Sequence, residues 1–299
     1  MSLPPPPPPP SAPQSASAPP LPRCYRHPDR EGGRSCTRCG KSACSECLVQ
    51  AAVGSHCVDC AKASRPDART RATYWNAGQL MLVTKVLIAM NVAVFVLVAI
   101  ADPKSLTGGG GITEMQLRLG LNKLLLSVTH EWYRLVTSGF LHFGFIHIGF
   151  NMLLLYQLGQ ILERALGRLG FGLLYAAGLL GGSFGVLILN GNSTAITGGA
   201  SGAVFGLMAA AAIGMHRQGI NIFRTGIGTT LILNLVLTFT ISGISIGGHL
   251  GGAVAGAICG WFMLAPRHRR TGPAWQVFAV PAAVILVSVV GSVALTLAV

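Results

Sequence analysis

The sequence predicts an all-α membrane protein, a polytopic bundle of helices that carries a small N-terminal metal-binding module. Of the 299 residues, 51% are hydrophobic and 10% are charged, whereas a soluble domain carries about 25% charged residues. The apolar residues come in blocks of about 20, which is the length of helix that crosses a bilayer. Seven of the eight cysteines lie together, between Cys24 and Cys60. We therefore expect a membrane domain and a separate cysteine-rich segment.

The segments on either side of the cysteines differ in composition. Residues 1–22 consist mostly of proline, serine and alanine, which cannot bury a core and predict a disordered tail. Residues 62–78 form a basic linker that contains Lys62, Arg65, Arg69 and Arg71. The net charge of the chain is +13, but most arginines and lysines lie outside the apolar blocks, where they set membrane topology. We therefore expect no nucleic acid among the partners.

Residues 23–61 predict a module that folds around metal ions. Its ligands form four pairs, each with two intervening residues: Cys24-x-x-His27, Cys36-x-x-Cys39, Cys44-x-x-Cys47 and Cys57-x-x-Cys60. Eight ligands of these types are enough for two tetrahedral zinc ions. Large apolar residues are scarce in this segment, so the metals would supply most of its folding free energy. A disulfide cluster is the alternative, and it would require an oxidising compartment.

The apolar blocks predict seven transmembrane helices. Their approximate limits are residues 79–100, 146–162, 169–189, 199–215, 222–240, 247–264 and 277–298. The long segment between the first two blocks is too polar to span a bilayer and too apolar for a free loop. We expect it to lie in the membrane interface, with Trp132 and Tyr133 at the level of the headgroups.

The distribution of positive charge predicts the orientation. Basic residues follow the second, fourth and sixth blocks, at Arg164, Arg168, Arg217, Arg224, Arg267, Arg269 and Arg270. The turns at 190–198 and 241–246 contain no lysine or arginine. Because cytoplasmic turns carry the excess of positive charge, we expect a multi-pass protein of the cell membrane with a cytoplasmic N-terminus and an external C-terminus.

Two polar residues share a depth in this topology. Ser201 lies near the start of the fourth block and His249 near the start of the sixth, so both lie near the outer face. The two helices carry glycines at intervals of four, Gly202 and Gly206 in one and Gly252, Gly256 and Gly260 in the other. Such spacing allows helix backbones to approach closely. Ser201 and His249 are therefore predicted to meet as a nucleophile and its general base.

Three more polar residues lie around the start of the second block: His142 just before it, and His147 and Asn151 within it. His147 and Asn151 are four positions apart and share one helical face. Their imidazole and carboxamide groups are suitable donors for a developing oxyanion. A metal site formed by His142, His147 and His249 is an alternative, although no carboxylate or thiol lies in the same layer. A transporter is a second alternative, although the polar residues gather near one face and do not lead inward.

At these residues the membrane part resembles the rhomboid family of intramembrane serine proteases. The resemblance rests on Gly199-Ala200-Ser201-Gly202, on His249-x-x-Gly252-x-x-x-Gly256, on His142-x4-His147-x3-Asn151, and on Trp132 with Arg134. It implies a six-helix core over residues 79–265, to which residues 266–299 add a basic cytoplasmic turn and a seventh helix. Tyr133 separates Trp132 from Arg134, where many members have an adjacent pair.

The resemblance also implies roles for these residues. Ser201 and His249 would form a catalytic dyad without an acidic member, and would need no cofactor. His147, Asn151 and the Ser201 backbone N–H would bind the oxyanion, while His142, Gly199, Trp132 and Arg134 would be structural. The substrates would be transmembrane proteins in the lipid bilayer, cleaved near the outer face. A catalytically silent rhomboid-like protein that binds membrane clients is the alternative.

The spacing of the N-terminal pairs resembles the B-box class of zinc fingers. That resemblance implies interleaved sites, with Cys24, His27, Cys44 and Cys47 at one zinc and Cys36, Cys39, Cys57 and Cys60 at the other. His56 adjoins Cys57 and is an alternative ligand. We expect two structural zinc ions and a module that binds a cytosolic protein partner or regulates the membrane domain.

Overall fold

The computed structural model describes residues 21–67, 70–71, 80–107, 111–189, 194–241, 243–264 and 275–298. Most of the proline-rich tail, much of the basic linker and most of the basic turn before the last helix lie outside the described residues. The chain divides into two compact units, Met1–Gly78 and Gln79–Val299.

The N-terminal unit is built from two short antiparallel hairpins and one helix. Strand β1 (Arg34–Ser35) pairs with β2 (Ser42–Ala43), and β3 (Leu48–Gln50) pairs with β4 (Ser55–Cys57), which leads into α1 (Val58–Ala63). The backbone N–H of Thr37 donates to the carbonyl of Ser55 over 2.9 Å and joins the two hairpins. Cysteines make up most of the buried side chains of this unit, so metal binding is expected to organise it.

The membrane unit is helical, as the sequence predicts. Its long helices are α2 (Leu82–Ala101), α6 (Phe145–Leu189), α7 (Ser201–Arg217), α8 (Gly226–Thr240), α9 (Ile246–Met263) and α10 (Gln276–Leu297). Among the described residues, α2, α6, α9 and α10 are long and apolar enough to cross a membrane, and α8 is a shorter apolar helix. The protein is therefore a multi-pass membrane protein.

Helix α6 contains two of the predicted spans. Its 45 residues are interrupted at Gly167, where φ is +72° and ψ is 173°. Only glycine adopts such a conformation readily. The break separates residues 145–166 from residues 168–189, and each part has the length of helix that crosses a bilayer.

Helices α6, α7 and α9 form the centre of the bundle through close backbone contacts. A methyl group on Gly252 or Gly256 of α9 would overlap the carbonyl oxygens of Gly202 and Gly206 in α7. This confirms the predicted approach of the fourth and sixth spans. A second row of glycines on α9, which the sequence analysis did not use, faces α6: Gly247 and Gly251 against Gly181 and Gly185.

The remaining long helices lie around this centre. Helix α10 packs against α6, α9 and a short helix of the interfacial segment. Its buried Ser292 and Thr296 donate to the carbonyls of Ser288 and Ser292, four residues earlier. These hydroxyl groups therefore leave no unsatisfied donor against the apolar core.

The segment between α2 and α6 contains three short helices, α3 (Glu114–Leu119), α4 (Lys123–Thr129) and α5 (Arg134–Thr137). Thr113 and Gln116 cap the N-terminus of α3 reciprocally, and Asn122 caps α4. Several large apolar side chains of this segment are exposed, including Ile112, Leu117, Val128 and Val136. That exposure agrees with the predicted position in the membrane interface.

Candidate active site and metal clusters

Ser201 is the first residue of α7, and the backbone before it has an unusual shape. Gly199 has φ +143°, and a Cβ at this position would lie 2.8 Å from Cε1 of His147. Both the conformation and the contact require glycine. The turn places the Ser201 hydroxyl at the start of the helix, where backbone N–H groups have no partner within the helix.

The hydroxyl of Ser201 contacts the imidazole of His249, 48 positions later in the chain. The distance from Oγ to Nε2 is 2.8 Å, and His249 is buried in the first turn of α9. The ring of His249 stacks on Phe205, with ring centroids 4.0 Å apart and an interplanar angle of 19°. Phe205 lies one turn after Ser201 on the same face. Helix α7 therefore supplies both the hydroxyl and the surface on which the imidazole rests.

The other nitrogen of His249 has a partner that the sequence analysis missed. Its Nδ1 lies 2.7 Å from Oγ1 of Thr238, a buried residue near the end of α8. Thr238 is one hydroxyl residue in an apolar block, and its position relative to His249 depends on the turn between α8 and α9. The periodicity of the block alone does not reveal this contact.

His147 lies beside the Ser201 turn. Its Nδ1 accepts a hydrogen bond of 3.3 Å from the backbone N–H of Phe143. A neutral imidazole has one donor and one acceptor nitrogen, so this contact assigns the hydrogen to Nε2. A Cβ atom on Gly199 would lie 2.9 Å from that Nε2 and 3.5 Å from Oγ of Ser201, so both atoms border the same space. An N–H donor is thus directed into the space beside the serine.

Asn151 and His142 lie next to His147. Among the described residues, neither side chain forms a hydrogen bond with the Ser201 hydroxyl. The amide nitrogen of Asn151 donates to the carbonyl of His147 over 2.9 Å. Because an amide has two N–H bonds, one remains for a ligand. The ring of His142 meets that of His147 edge to face at 5.0 Å. The described residues contain no cluster of metal ligands formed by His142, His147 and His249.

The interfacial segment supports the backbone that leads to Ser201. Leu121 and Thr197 exchange two backbone hydrogen bonds of 2.8 Å each, and the N–H of Gly199 donates to the carbonyl of Ser138 over 2.8 Å. The side chain of Asn122 donates to the carbonyl of Ala195 over 3.1 Å. The turn is therefore held from the interfacial segment as well as from α7.

Arg134 anchors the interfacial segment itself. Its buried guanidinium donates to the carbonyls of Leu117 and Gly120, over 2.6 and 3.0 Å, and to the carboxylate of Glu131. The guanidinium holds the pKa of Glu131 below its ordinary value through that hydrogen bond. The neighbouring Trp132 packs against a small apolar cluster of Leu121, Leu126, Leu135, Val186 and Leu187.

The comparison with known families covers the residues of this site. Residues 129–266 match the family model of the Rhomboid domain. The chain contains a rhomboid domain. The matched range includes Ser201 and His249, and it begins in the interfacial segment just before Trp132. The resemblance predicted from the motifs is confirmed for these residues.

Several proteins with rhomboid in their names are similar to part of this chain. Rhomboid protease GluP of Bacillus subtilis (strain 168) is 33% identical over 168 residues, which cover 55% of this chain and 31% of that protein. Rhomboid-type serine protease 2 of Emericella nidulans is 40% identical over 82 residues, which cover 26% of this chain and 16% of that protein. RHOMBOID-like protein 5 of Arabidopsis thaliana is 37% identical over 93 residues, which cover 31% of this chain and 30% of that protein. The chain spans less than a third of the length of each.

The N-terminal unit, which precedes the rhomboid domain, brings the predicted metal ligands into two clusters. The two groups are Cys24, His27, Cys44 and Cys47, and Cys36, Cys39, Cys57 and Cys60. Within each group the ligand atoms lie within 4.8 Å of one another. The pairs interleave as the sequence resemblance implies, and either group could hold a metal ion.

The spacing within each cluster suits a tetrahedral ion. Nδ1 of His27 lies 3.5 Å from the sulfur of Cys44 and 3.4 Å from that of Cys47, and the sulfurs of Cys39 and Cys57 are 3.7 Å apart. Ligands about 2.3 Å from a tetrahedral zinc are separated by about 3.8 Å. None of the eight cysteines forms a disulfide in the structure, so the disulfide alternative is not supported.

The electrostatic setting differs among the cysteines of each cluster. Burial raises the pKa of Cys47 to about 11, and a hydrogen bond with Cys39 raises the pKa of Cys60 to about 12, whereas Cys24 and Cys36 have lowered pKa values. Burial raises the pKa of Cys24 and of Cys36, but hydrogen bonds from the backbone lower it by more, to about 6 in both. A thiolate is the form that binds metal. Each cluster therefore contains at least one thiol that readily becomes a thiolate.

Proposed function

We propose that the protein is an intramembrane serine endopeptidase that acts through Ser201 and His249. The observation that supports this most directly is the 2.8 Å contact between the serine hydroxyl and the imidazole, inside a bundle of apolar helices. A histidine buried at the level of a membrane is costly and usually has a function. The relatives named as rhomboid proteases support the same assignment.

In the first half of the proposed reaction, Oγ of Ser201 attacks the carbonyl carbon of a peptide bond while Nε2 of His249 takes the hydroxyl proton. The carbonyl oxygen becomes an oxyanion. The backbone N–H of Ser201 and the Nε2–H of His147 are donors beside it, and Asn151 supplies an amide N–H. His249 then returns its proton to the amine that leaves, and an acyl-enzyme remains.

In the second half, water attacks the ester carbonyl of the acyl-enzyme. His249 accepts the proton of that water and returns a proton to Oγ of Ser201 as the carboxylate product leaves. Phe205 holds the imidazole in place in both halves through the stacking contact. The dyad therefore needs no metal and no acidic third residue.

The proposed substrates are transmembrane proteins, cut near the outer face of the membrane. The charge distribution supports an orientation in which the N-terminus is cytoplasmic and the C-terminus is external. The start of α7 and the start of α9, where Ser201 and His249 lie, then face the outer side. A substrate helix that unwinds there would bring its peptide bonds within reach of the serine.

We further propose that the N-terminal unit binds two zinc ions that are structural. One cluster offers three cysteines and one histidine and the other offers four cysteines, and four protein ligands are typical of a structural zinc site. Its role in the protein would be to bind a cytosolic partner or to regulate the rhomboid domain.

Labelling with a fluorophosphonate tests the proposed enzyme. The reagent forms a covalent bond with an activated serine, so we expect rapid labelling of the wild type in detergent and none of Ser201→Ala. His249→Gln should lose at least about a hundredfold in rate, because general base catalysis contributes about 10²–10⁴. Ser288→Ala, in α10, removes a buried membrane serine elsewhere and should be labelled like the wild type.

Cleavage of a transmembrane fusion protein in reconstituted vesicles tests the substrate class with the same variants. Equal labelling of the wild type and Ser201→Ala would refute the proposal that the protein is a serine endopeptidase. It would leave the alternative, a catalytically silent membrane protein that binds clients.

A further inference from the structure

We propose that Thr238 is a positioning residue for His249, and that its hydroxyl oxygen holds the Nδ1–H of the imidazole so that the Nε2 lone pair faces Ser201. The inference rests on the proposed function. It assigns to a threonine on α8 the orienting role that a carboxylate plays in a catalytic triad.

The direction of the hydrogen bonds follows from the chain of partners. Oγ1 of Thr238 lies 2.6 Å from the carbonyl oxygen of Asn234 and 2.7 Å from Nδ1 of His249. A carbonyl oxygen can only accept, so the single hydrogen of the hydroxyl points to Asn234. The lone pairs of Oγ1 then accept from Nδ1–H. This leaves Nε2 without a hydrogen and ready to accept the proton of Ser201.

The position of Thr238 on its helix makes the contact specific. Of the described side chains of α8, Thr238 is the one that is both polar and buried, with 2% of its surface exposed. The neighbouring Leu237 and Phe239 are exposed. A buried hydroxyl costs free energy unless its hydrogen-bonding capacity is used. At Thr238 the donor and an acceptor lone pair both have partners.

The same hydrogen bond stabilises the charged intermediate. When Nε2 takes the proton from Ser201, the imidazolium has a hydrogen on each nitrogen, and Thr238 continues to accept from Nδ1. Hydrogen bonds to charged groups are stronger than those between neutral groups. Loss of the acceptor should therefore slow the proton transfer more than it weakens substrate binding.

Three threonine variants test the role. Thr238→Val keeps the shape and removes the acceptor, and we expect fluorophosphonate labelling and kcat to fall at least about tenfold, with KM little changed. Thr238→Ser should restore the rate to within about threefold of the wild type. Thr240→Val is the matched control, because its exposed hydroxyl likewise donates to a carbonyl four residues earlier. Wild-type rates for Thr238→Val, or a failure of serine to restore the rate at an unchanged unfolding temperature, would overturn the inference.

The tautomer of His249 gives a readout that does not depend on enzymatic activity. In protein labelled with ¹⁵N-histidine, and assigned with the His249→Gln variant, we expect Nδ1 protonated and Nε2 unprotonated in the wild type and in Thr238→Ser. Thr238→Val should shift the population toward the other tautomer. A wild type protonated at Nε2 would refute the role of Thr238 even if Ser201 is labelled. Protonated Nδ1 without labelling of Ser201 would support the hydrogen bond and refute the proposed enzyme.

Discussion

The proposed oxyanion donors, His147 and Asn151, differ in where the structure places their N–H groups relative to Ser201. A Cβ on Gly199 would lie 2.9 Å from Nε2 of His147 and 3.5 Å from Oγ of Ser201, so this nitrogen is beside the serine. Asn151 uses one of its N–H bonds on the carbonyl of His147. A donor that is already beside the reacting atoms contributes to catalysis without reorganisation during the reaction. At the scale of single residues, His147 should therefore be the more important of the two side chains.

We predict that His147→Ala lowers kcat by about 10²–10³, equivalent to roughly 3–4 kcal/mol, and that Asn151→Ala lowers it by a smaller factor. KM should change little in both, because the donors act mainly on the charged intermediate. Gln157→Ala, an exposed amide on the same helix, is the control. A uniform rise of KM with kcat unchanged would show that these residues bind substrate instead.

At the scale of elements, the N-terminus of α2 depends on a residue 80 positions away. The residue before α2, Met81, has no capping side chain. The carboxylate of Glu163 in α6 takes this role, since it accepts from the N–H groups of Val83 and Thr84, over 2.9 and 2.8 Å, and from the hydroxyl of Thr84 over 2.6 Å. A negative charge at a helix N-terminus also interacts favourably with the helix dipole.

We predict that Glu163→Gln destabilises the membrane unit by roughly 1–3 kcal/mol, because the amide replaces one acceptor oxygen by a donor that faces other donors. The unfolding temperature in detergent should fall, while the labelling rate of the folded protein stays close to that of the wild type. Glu114→Gln is the matched control, since Glu114 pairs with Arg118 at an exposed site that should contribute under about 1 kcal/mol. Equal unfolding temperatures for the two variants would contradict the role of Glu163.

The sequence was most informative where the membrane imposes a simple rule. A span must satisfy its backbone within a continuous apolar helix, so the bounds of the long helices were predicted to within a few residues. The meeting of Ser201 with His249 followed from their common depth and the glycine spacing. Phe205 was within reach of the same argument, because it lies four residues after Ser201.

Contacts across long sequence distances were not predictable in this way. Thr238 has no signal of its own among apolar neighbours, and Glu163 lies just after the predicted second span, where nothing in the sequence connects it with α2. The bridge between Leu121 and Thr197 joins two irregular segments that no periodicity describes. Each of these depends on how the elements pack, which a single sequence does not specify through composition or spacing.

At the scale of the whole molecule, each of the two units is stabilised internally by a different kind of interaction. The membrane unit buries a large apolar core that includes Leu155, Phe171 and Leu207. The N-terminal unit buries little besides its cysteines and Ala43. We therefore expect the N-terminal unit to unfold when metal is removed, while the rhomboid domain keeps its structure and its labelling by fluorophosphonate.

The second cluster, which contains Cys39 and Cys60, should lose its metal before the first cluster. In the first cluster Cys24, Cys44 and Cys47 are all buried, whereas in the second Cys39 is exposed and Cys60 is partly exposed. A chelator and an alkylating reagent reach exposed thiolates first. We predict two zinc ions per chain, and a chelator titration followed by mass spectrometry should show alkylation of the second cluster before the first. Cys259→Ala, which changes the one cysteine outside the clusters, should still bind two zinc ions. One zinc per chain, or simultaneous alkylation of both clusters, would contradict the predicted zinc content or the predicted order of metal loss. Loss of Ser201 labelling on chelation would contradict the prediction that the rhomboid domain keeps its structure without metal.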